Sequence, residues 1–72
     1  MEPPDPTWWK SEMHASWFHI TADGQIACEV WTDAPADRAR WRLGNCFQSR
    51  AQAEQAREQM REAFRHVRQH EA

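Results

Sequence analysis

Aliphatic side chains are scarce in this 72-residue chain: leucine, isoleucine and valine number five, and phenylalanine adds three. So low a content marks a disordered chain when the net charge is also large, but here the formal net charge is only −2. Five tryptophans compensate, since each buried aromatic removes about 150–250 Å² from water. The expectation is one small, aromatic-cored domain of marginal stability. No run approaches the ~20 apolar residues that span a bilayer. The stretch Met1-Glu2-Pro3-Pro4-Asp5-Pro6 has neither the basic nor the apolar region of a secretory signal, so a cytoplasmic location with no membrane partner is expected. Two cysteines, Cys28 and Cys46, are too few for a disulfide framework and read as reduced, half-buried thiols. With only Gly24 and Gly44 there is no glycine-rich phosphate loop, and no serine or cysteine sits in a nucleophile motif. Neither catalytic residues nor a cofactor are therefore expected.

Three of the four prolines fall within residues 1–7, which reads as an extended, frayed leader. The leader is taken as residues 1–15 and the domain as residues 16–72. Trp8 and Trp9 follow the prolines directly, and such a pair either docks back on the domain or awaits a partner.

From Ser16 to Thr32 the pattern is a β-hairpin. A two-residue Asp23-Gly24 turn would set Phe18 opposite Glu29 and mix apolar with charged groups. A three-residue loop with Gly24 in the left-handed region sets Ile20 opposite Ile26 and Phe18 opposite Cys28, which sorts the faces. Phe18, Ile20, Ile26, Cys28 and Val30 then share one apolar side, while Trp17, His19, Ala27, Glu29 and Trp31 share the other. Arg40-Trp41-Arg42-Leu43 alternates and predicts a third strand, interrupted at Gly44-Asn45. Ser49 with Gln52 fits a capping box. Ala53, Ala56, Met60, Ala63, Phe64 and Val67 then form one helical stripe, predicting a helix from about Arg50 to His66 or slightly beyond. The expected fold class is α+β, a three-stranded antiparallel β-sheet packed by its Phe18 face on one long C-terminal α-helix, or ββ(β)α.

Charge is uneven. Residues 1–37 hold seven acids and one lysine, whereas residues 38–72 hold eight arginines and four acids. The two halves either complement each other within a domain or dimer, or offer a basic face to an acidic partner. Arg50, Arg57, Arg61, Arg65 and Arg68 could track a phosphate backbone, but Glu54, Glu58 and Glu62 interleave with them, so nucleic acid is the lesser expectation. His66 and His70 have a spacing that can present two metal ligands, but without the accompanying signature they read as a solvated pair, and no metal is expected. On the sheet face away from the helix, Trp17 and Trp31, near His19 and Glu29, could anchor a partner. They could equally be covered by the leader or by a second copy.

Gly24, Trp31, Asp33, Asp37, Arg40, Gly44, Asn45, Phe47, Ser49, Ala53, Glu54 and Ala56 fit, without gaps, a pattern that resembles a family of small phage and prophage proteins with no assigned activity. The resemblance covers over half the chain, from Trp17 to Ala56. The sequence departs from the pattern at Arg50 and Ala51, where such proteins usually begin the helix with acids, and at Pro35. The resemblance implies a phage or prophage origin more than an activity. The first expectation for a chain of that origin is a non-enzymatic accessory protein that binds and occludes a host protein, inhibition of a defence system such as a CRISPR effector being one form of that. The candidate partner-binding residues are Trp17, Trp31, His19, Glu29, Asp33, Asp37, Trp8 and Trp9. The alternatives are a nucleic-acid binder using the arginine flank and a homodimer formed through the outer sheet face. Asp33, Asp37 and Arg40 also have a purely structural reading, as an ion-pair or capping network that holds their loop.

Overall fold

A computed structural model describes residues 4–71. Its elements run β1 (Ser16–Ile20), β2 (Ile26–Val30), α1 (Pro35–Leu43) and α2 (Arg50–Gln69). The strands pair antiparallel with Ile20 opposite Ile26 and Phe18 opposite Cys28, the register that sorts the faces. Thr21 N–H donates to the Gln25 carbonyl at 2.8 Å, and Gly24 takes φ 81°, a left-handed conformation cheap only for glycine.

Among the described residues the sheet has two strands, not three, and there are two helices, not one, which corrects the predicted fold class. Arg40-Trp41-Arg42-Leu43 belongs to α1. Pro35 starts that helix, Asp37 sits in its first turn, and Arg40 and Arg42 sit in its last, which is favourable placement on the helix dipole. Gly44 ends it at φ 95°. Gly44 N–H donates to the Trp41 carbonyl at 3.0 Å and Asn45 N–H to the Arg40 carbonyl at 2.8 Å, a Schellman closure. Only Trp41 of the alternating set needs to be inside, at 4 % exposure, and Leu43 is 80 % exposed.

The third position in the sheet is filled by a single residue. Phe47 forms an isolated bridge with Phe18, the two exchanging N–H to carbonyl bonds of 2.9 and 2.8 Å. Beside it the Asn45 side-chain amide imitates a strand: its Oδ1 accepts from Ile20 N–H at 2.7 Å and its Nδ2 donates to the Ile20 carbonyl at 2.8 Å. The outer edge of β1 is thus paired at Phe18 and Ile20 without a strand.

The predicted faces are right in membership and reversed in burial. Trp17, His19 and Trp31 are buried, and Trp17, Trp31, Trp41 and Cys46 form the core cluster. Phe18, Ile20 and Ile26 are only half-buried, and Cys28 and Val30 are exposed. Three indoles bring more apolar area than the aliphatics of the opposite face, and α1 delivers the third of them. The Trp17 and Trp31 rings meet edge to face at 5.7 Å.

The leader docks. Trp8 Nε1 donates to the Trp41 carbonyl at 2.7 Å, Trp41 Nε1 returns a 3.4 Å bond to the Trp8 carbonyl, and Asp5 meets Arg42 at 2.8 Å. Lys10 Nζ lies 5.8 Å from the Trp31 ring centre and 5.2 Å from that of Trp41. Of the two expectations for Trp8, docking on the domain or awaiting a partner, Trp8 shows the first; the fraying was expected of residues 1–7, of which Asp5 is held by Arg42 and residues 1–3 lie outside the described residues.

Helix α2 starts as expected. Ser49 Oγ accepts from Gln52 N–H at 3.2 Å, and Gln52 Oε1 reaches back to Gln48 N–H at 3.1 Å. Ala53 is buried, and Ala56, Arg57 and Met60 are half-covered.

Candidate functional site

The candidate partner-binding residues fall into three groups. Trp17, Trp31 and His19 are 0, 2 and 3 % exposed, so they build the core; the outward-facing anchor expected of this sheet face, and the dimer interface expected there, are replaced by the chain's own leader and α1. Glu29 and Asp33 are exposed. Trp8 and Trp9 stay at the surface, 49 and 37 % exposed.

Within the first group, His19 Nε2 lies 3.3 Å from Glu29 Oε1, joining a buried ring to an exposed carboxylate. Among the described residues, His19 Nδ1 and Trp17 Nε1 are buried without a hydrogen-bond partner, and the two rings sit 5.1 Å apart. Asp37 is also buried, and its Oδ2 accepts from Thr32 N–H at 3.0 Å and Thr32 Oγ1 at 3.2 Å. Asp33, at φ 60°, accepts from Arg38 at 3.0 Å. The loop network thus exists, with Arg38 in the pairing role expected of Arg40, and it makes Asp37 a structural group rather than a contact surface. Cys46 is buried near Ser11 and Asp37; burial first, and the Asp37 charge to a lesser degree, push its thiol pKa above the ordinary value of 9.0 against a lowering backbone bond from Ser11. A thiol so held is a weak nucleophile.

Trp8 and Trp9 line an open groove of about 580 Å³ whose other wall is the start of α2. Its polar lining is Gln52, Gln55 and Gln59, and Cys46, Phe47 and Ala56 supply apolar surface. The dimensions match a ligand cleft, about 300–1,000 Å³. The leader brings the indoles because Trp8 is pinned to α1, and the amides come from one flank of α2 at helical spacing. In the sequence Gln52 reads as a cap, and Gln55 and Gln59 carry no motif; their signal is the three- and four-residue spacing beside the apolar stripe.

The arginine flank is largely committed to its own chain. Arg61 lies 4.0 Å from Glu58, Arg65 lies 2.6 Å from Glu62, and Arg68 pairs with Glu71. Arg57 donates to the Gly24 carbonyl at 3.4 Å instead of pairing with Glu54, and the Arg50 guanidinium lies 5.6 Å from the Phe18 ring centre. His66 and His70 stack edge to face at 4.7 Å on the exposed end of α2. Among the described residues, no group of three or more His, Cys, Asp or Glu could hold a metal ion, and no helix is long and apolar enough to cross a membrane.

The class so defined is a small α+β protein, a β-hairpin clamped between a tryptophan-bearing leader with a short helix and one long helix. No family model, no curated protein and no solved structure matches the chain.

Proposed function

We propose that this chain is a non-catalytic accessory protein that binds another protein in the groove between Trp8, Trp9 and the glutamine flank of α2, and by sitting there occludes its partner's surface. The observation that carries this reading is the groove itself: two half-exposed indoles facing three side-chain amides. Tryptophan is enriched among residues that dominate binding energy. Amides donate and accept, so Gln52, Gln55 and Gln59 suit the alternating polar groups of an extended peptide backbone. Trp8 is held by its bond to Trp41 and presents a preorganised wall. The exposed carboxylates Glu29 and Asp33 steer a basic partner through long-range attraction. A surface that binds nucleic acid on a host protein has that character, which is the point of contact with the phage-type resemblance and with a defence effector such as a CRISPR complex as target, in the host cytoplasm.

The test is a pull-down of tagged protein from host lysate with and without nuclease, repeated with Trp9→Ala and with Arg61→Glu/Arg65→Glu. A stoichiometric protein that survives nuclease, is lost with Trp9→Ala and is kept by the arginine variant supports the reading. Recovery of nucleic acid alone, or capture abolished by the arginine variant with Trp9→Ala unaffected, overturns it in favour of the arginine flank.

A further inference from the structure

The second half of α2 leaves the body of the protein. Ala53 is buried against the sheet, but every described residue from Arg61 to Glu71 is exposed. The apolar stripe nonetheless continues along it through Ala63, Phe64 and Val67, with Phe64 61 % and Val67 59 % exposed. Polar residues would serve an isolated solvated helix better, and an amphipathic helix of this length draws most of its stability from whatever its apolar face packs on.

We infer that this stripe seats a second copy of the same chain, with the two α2 helices lying antiparallel and crossing at Phe64. Three observations select that occupant and that direction. First, the molecule's own body covers the early part of the stripe at Ala53 and Ala56, so a parallel neighbour would collide with it. A two-fold pair can overlap only along the part of each helix past Ala56, which requires opposite directions. Second, Arg57, Phe64 and Glu71 recur every seven residues, the first two on one flank of α2 and Glu71 just past its C-terminal cap. A two-fold axis at Phe64 sets Arg57 of each copy opposite Glu71 of the other, an opposite-charge contact made twice. In forming it, Arg57 exchanges its bond to the Gly24 carbonyl and Glu71 its pairing with Arg68 of the same chain. Third, the exposed area is in excess. The chain exposes 5492 Å², where a compact monomer of 8.6 kDa exposes about 4,700 Å². The difference, about 800 Å², belongs to the whole chain, leader included, and leaves room for one partner's share of a standard interface.

The same register gives Val67 of the second copy a place to go. It falls beside Met60, which lines an apolar cavity of about 280 Å³ together with Ile20, Leu43 and Phe47. Leu43, 80 % exposed at the rim of that cavity, then acquires a cover. This interface differs from the tryptophan groove and stands or falls separately from it.

The experiment is sedimentation equilibrium of the full chain across concentrations up to about 500 µM, above the weak end of specific affinities. The expected result is a monomer–dimer equilibrium. Phe64→Glu/Val67→Glu should raise its dissociation constant about a hundredfold, since two apolar side chains stop being buried, with the far-ultraviolet circular dichroism spectrum of the folded monomer retained. Arg57→Glu should weaken the dimer and Arg57→Glu/Glu71→Arg should restore it. In a Cys28→Ser background, mixing Met60→Cys with Val67→Cys chains under an added thiol oxidant such as oxidised glutathione should give the mixed disulfide in preference to either like pair, which fixes the direction. A monomer at every concentration, a dimer indifferent to Phe64→Glu/Val67→Glu, or like-pair disulfides only would overturn the inference.

Discussion

Asp37 shows what a single buried carboxylate does here. Its two bonds from Thr32 tie the end of β2 to the first turn of α1, and bonds to a charged group contribute about 1.5–3 kcal/mol each. Asp37→Ala should therefore lower the unfolding free energy by about 2 kcal/mol in urea titration; an unchanged midpoint would mean that the loop holds without it. Cys46 gives the pH dependence. Its raised thiol pKa means that the folded state keeps a proton the unfolded state releases, so its contribution to stability is complete below 9.0 and falls away as pH climbs beyond that value. Cys46→Ala should remove that part of the alkaline loss. In native protein at pH 8 a thiol reagent should label exposed Cys28 quickly and Cys46 only on unfolding, as intact-mass analysis will read. Neither behaviour was legible in the sequence, where both cysteines looked half-buried. Strand parity put Cys28 on the apolar face, but α2 does not reach across that face to cover it.

The junction between α1 and Phe47 carries the element scale. An Arg-Trp-Arg-Leu alternation satisfies a strand template, and it also satisfies the last turn of a helix whose single inward residue is Trp41. The helical signals were present in Pro35, Asp37 and the closing Gly44, each at its favoured position, and they outweigh a four-residue alternation. Gly44 holds φ 95° with open space where a Cβ would point. Gly44→Ala should therefore cost backbone strain alone, about 1–2 kcal/mol, and Gly44→Asn less, as thermal melts of the two variants would show. Asn45 substitutes for a missing strand by pairing both polar groups of Ile20. Asn45→Leu leaves that amide and carbonyl without partners and should destabilise by about 1–3 kcal/mol, whereas full stability in this variant would mean that the edge of β1 needs no partner there.

At the scale of the whole molecule the protein is extended for its size. Its radius of gyration is 13.8 Å, against about 11 Å for a compact chain of this length. The projecting half of α2 accounts for the difference in kind, since every described residue past Met60 is exposed. The body, in contrast, is closed by the leader: Trp8, Lys10 and Ser11 cover the tryptophan core. Deleting residues 1–10 should expose Trp31 and Trp41, shift tryptophan fluorescence to the red and lower the melting temperature by at least about 8 °C, each kcal/mol being worth ~4–8 °C in a domain of this size. A truncated chain that melts unchanged would show that the leader merely rests on the core.

Local pattern was enough for the hairpin, its three-residue loop, its register and the start of α2, because turn geometry and capping act between residues close in the chain. It was also enough to sort side chains into two faces. Which face forms the core depended on something no local rule contains, namely what else in the chain arrives to cover it. Trp8 and Trp41 lie 33 positions apart, and their packing over Trp17 and Trp31 turned a surface that read as an anchor for a partner into the interior. The groove beside Trp9 exists for the same reason, since its walls come from opposite ends of the chain and meet only because burying indole area outweighs burying the few aliphatic groups available.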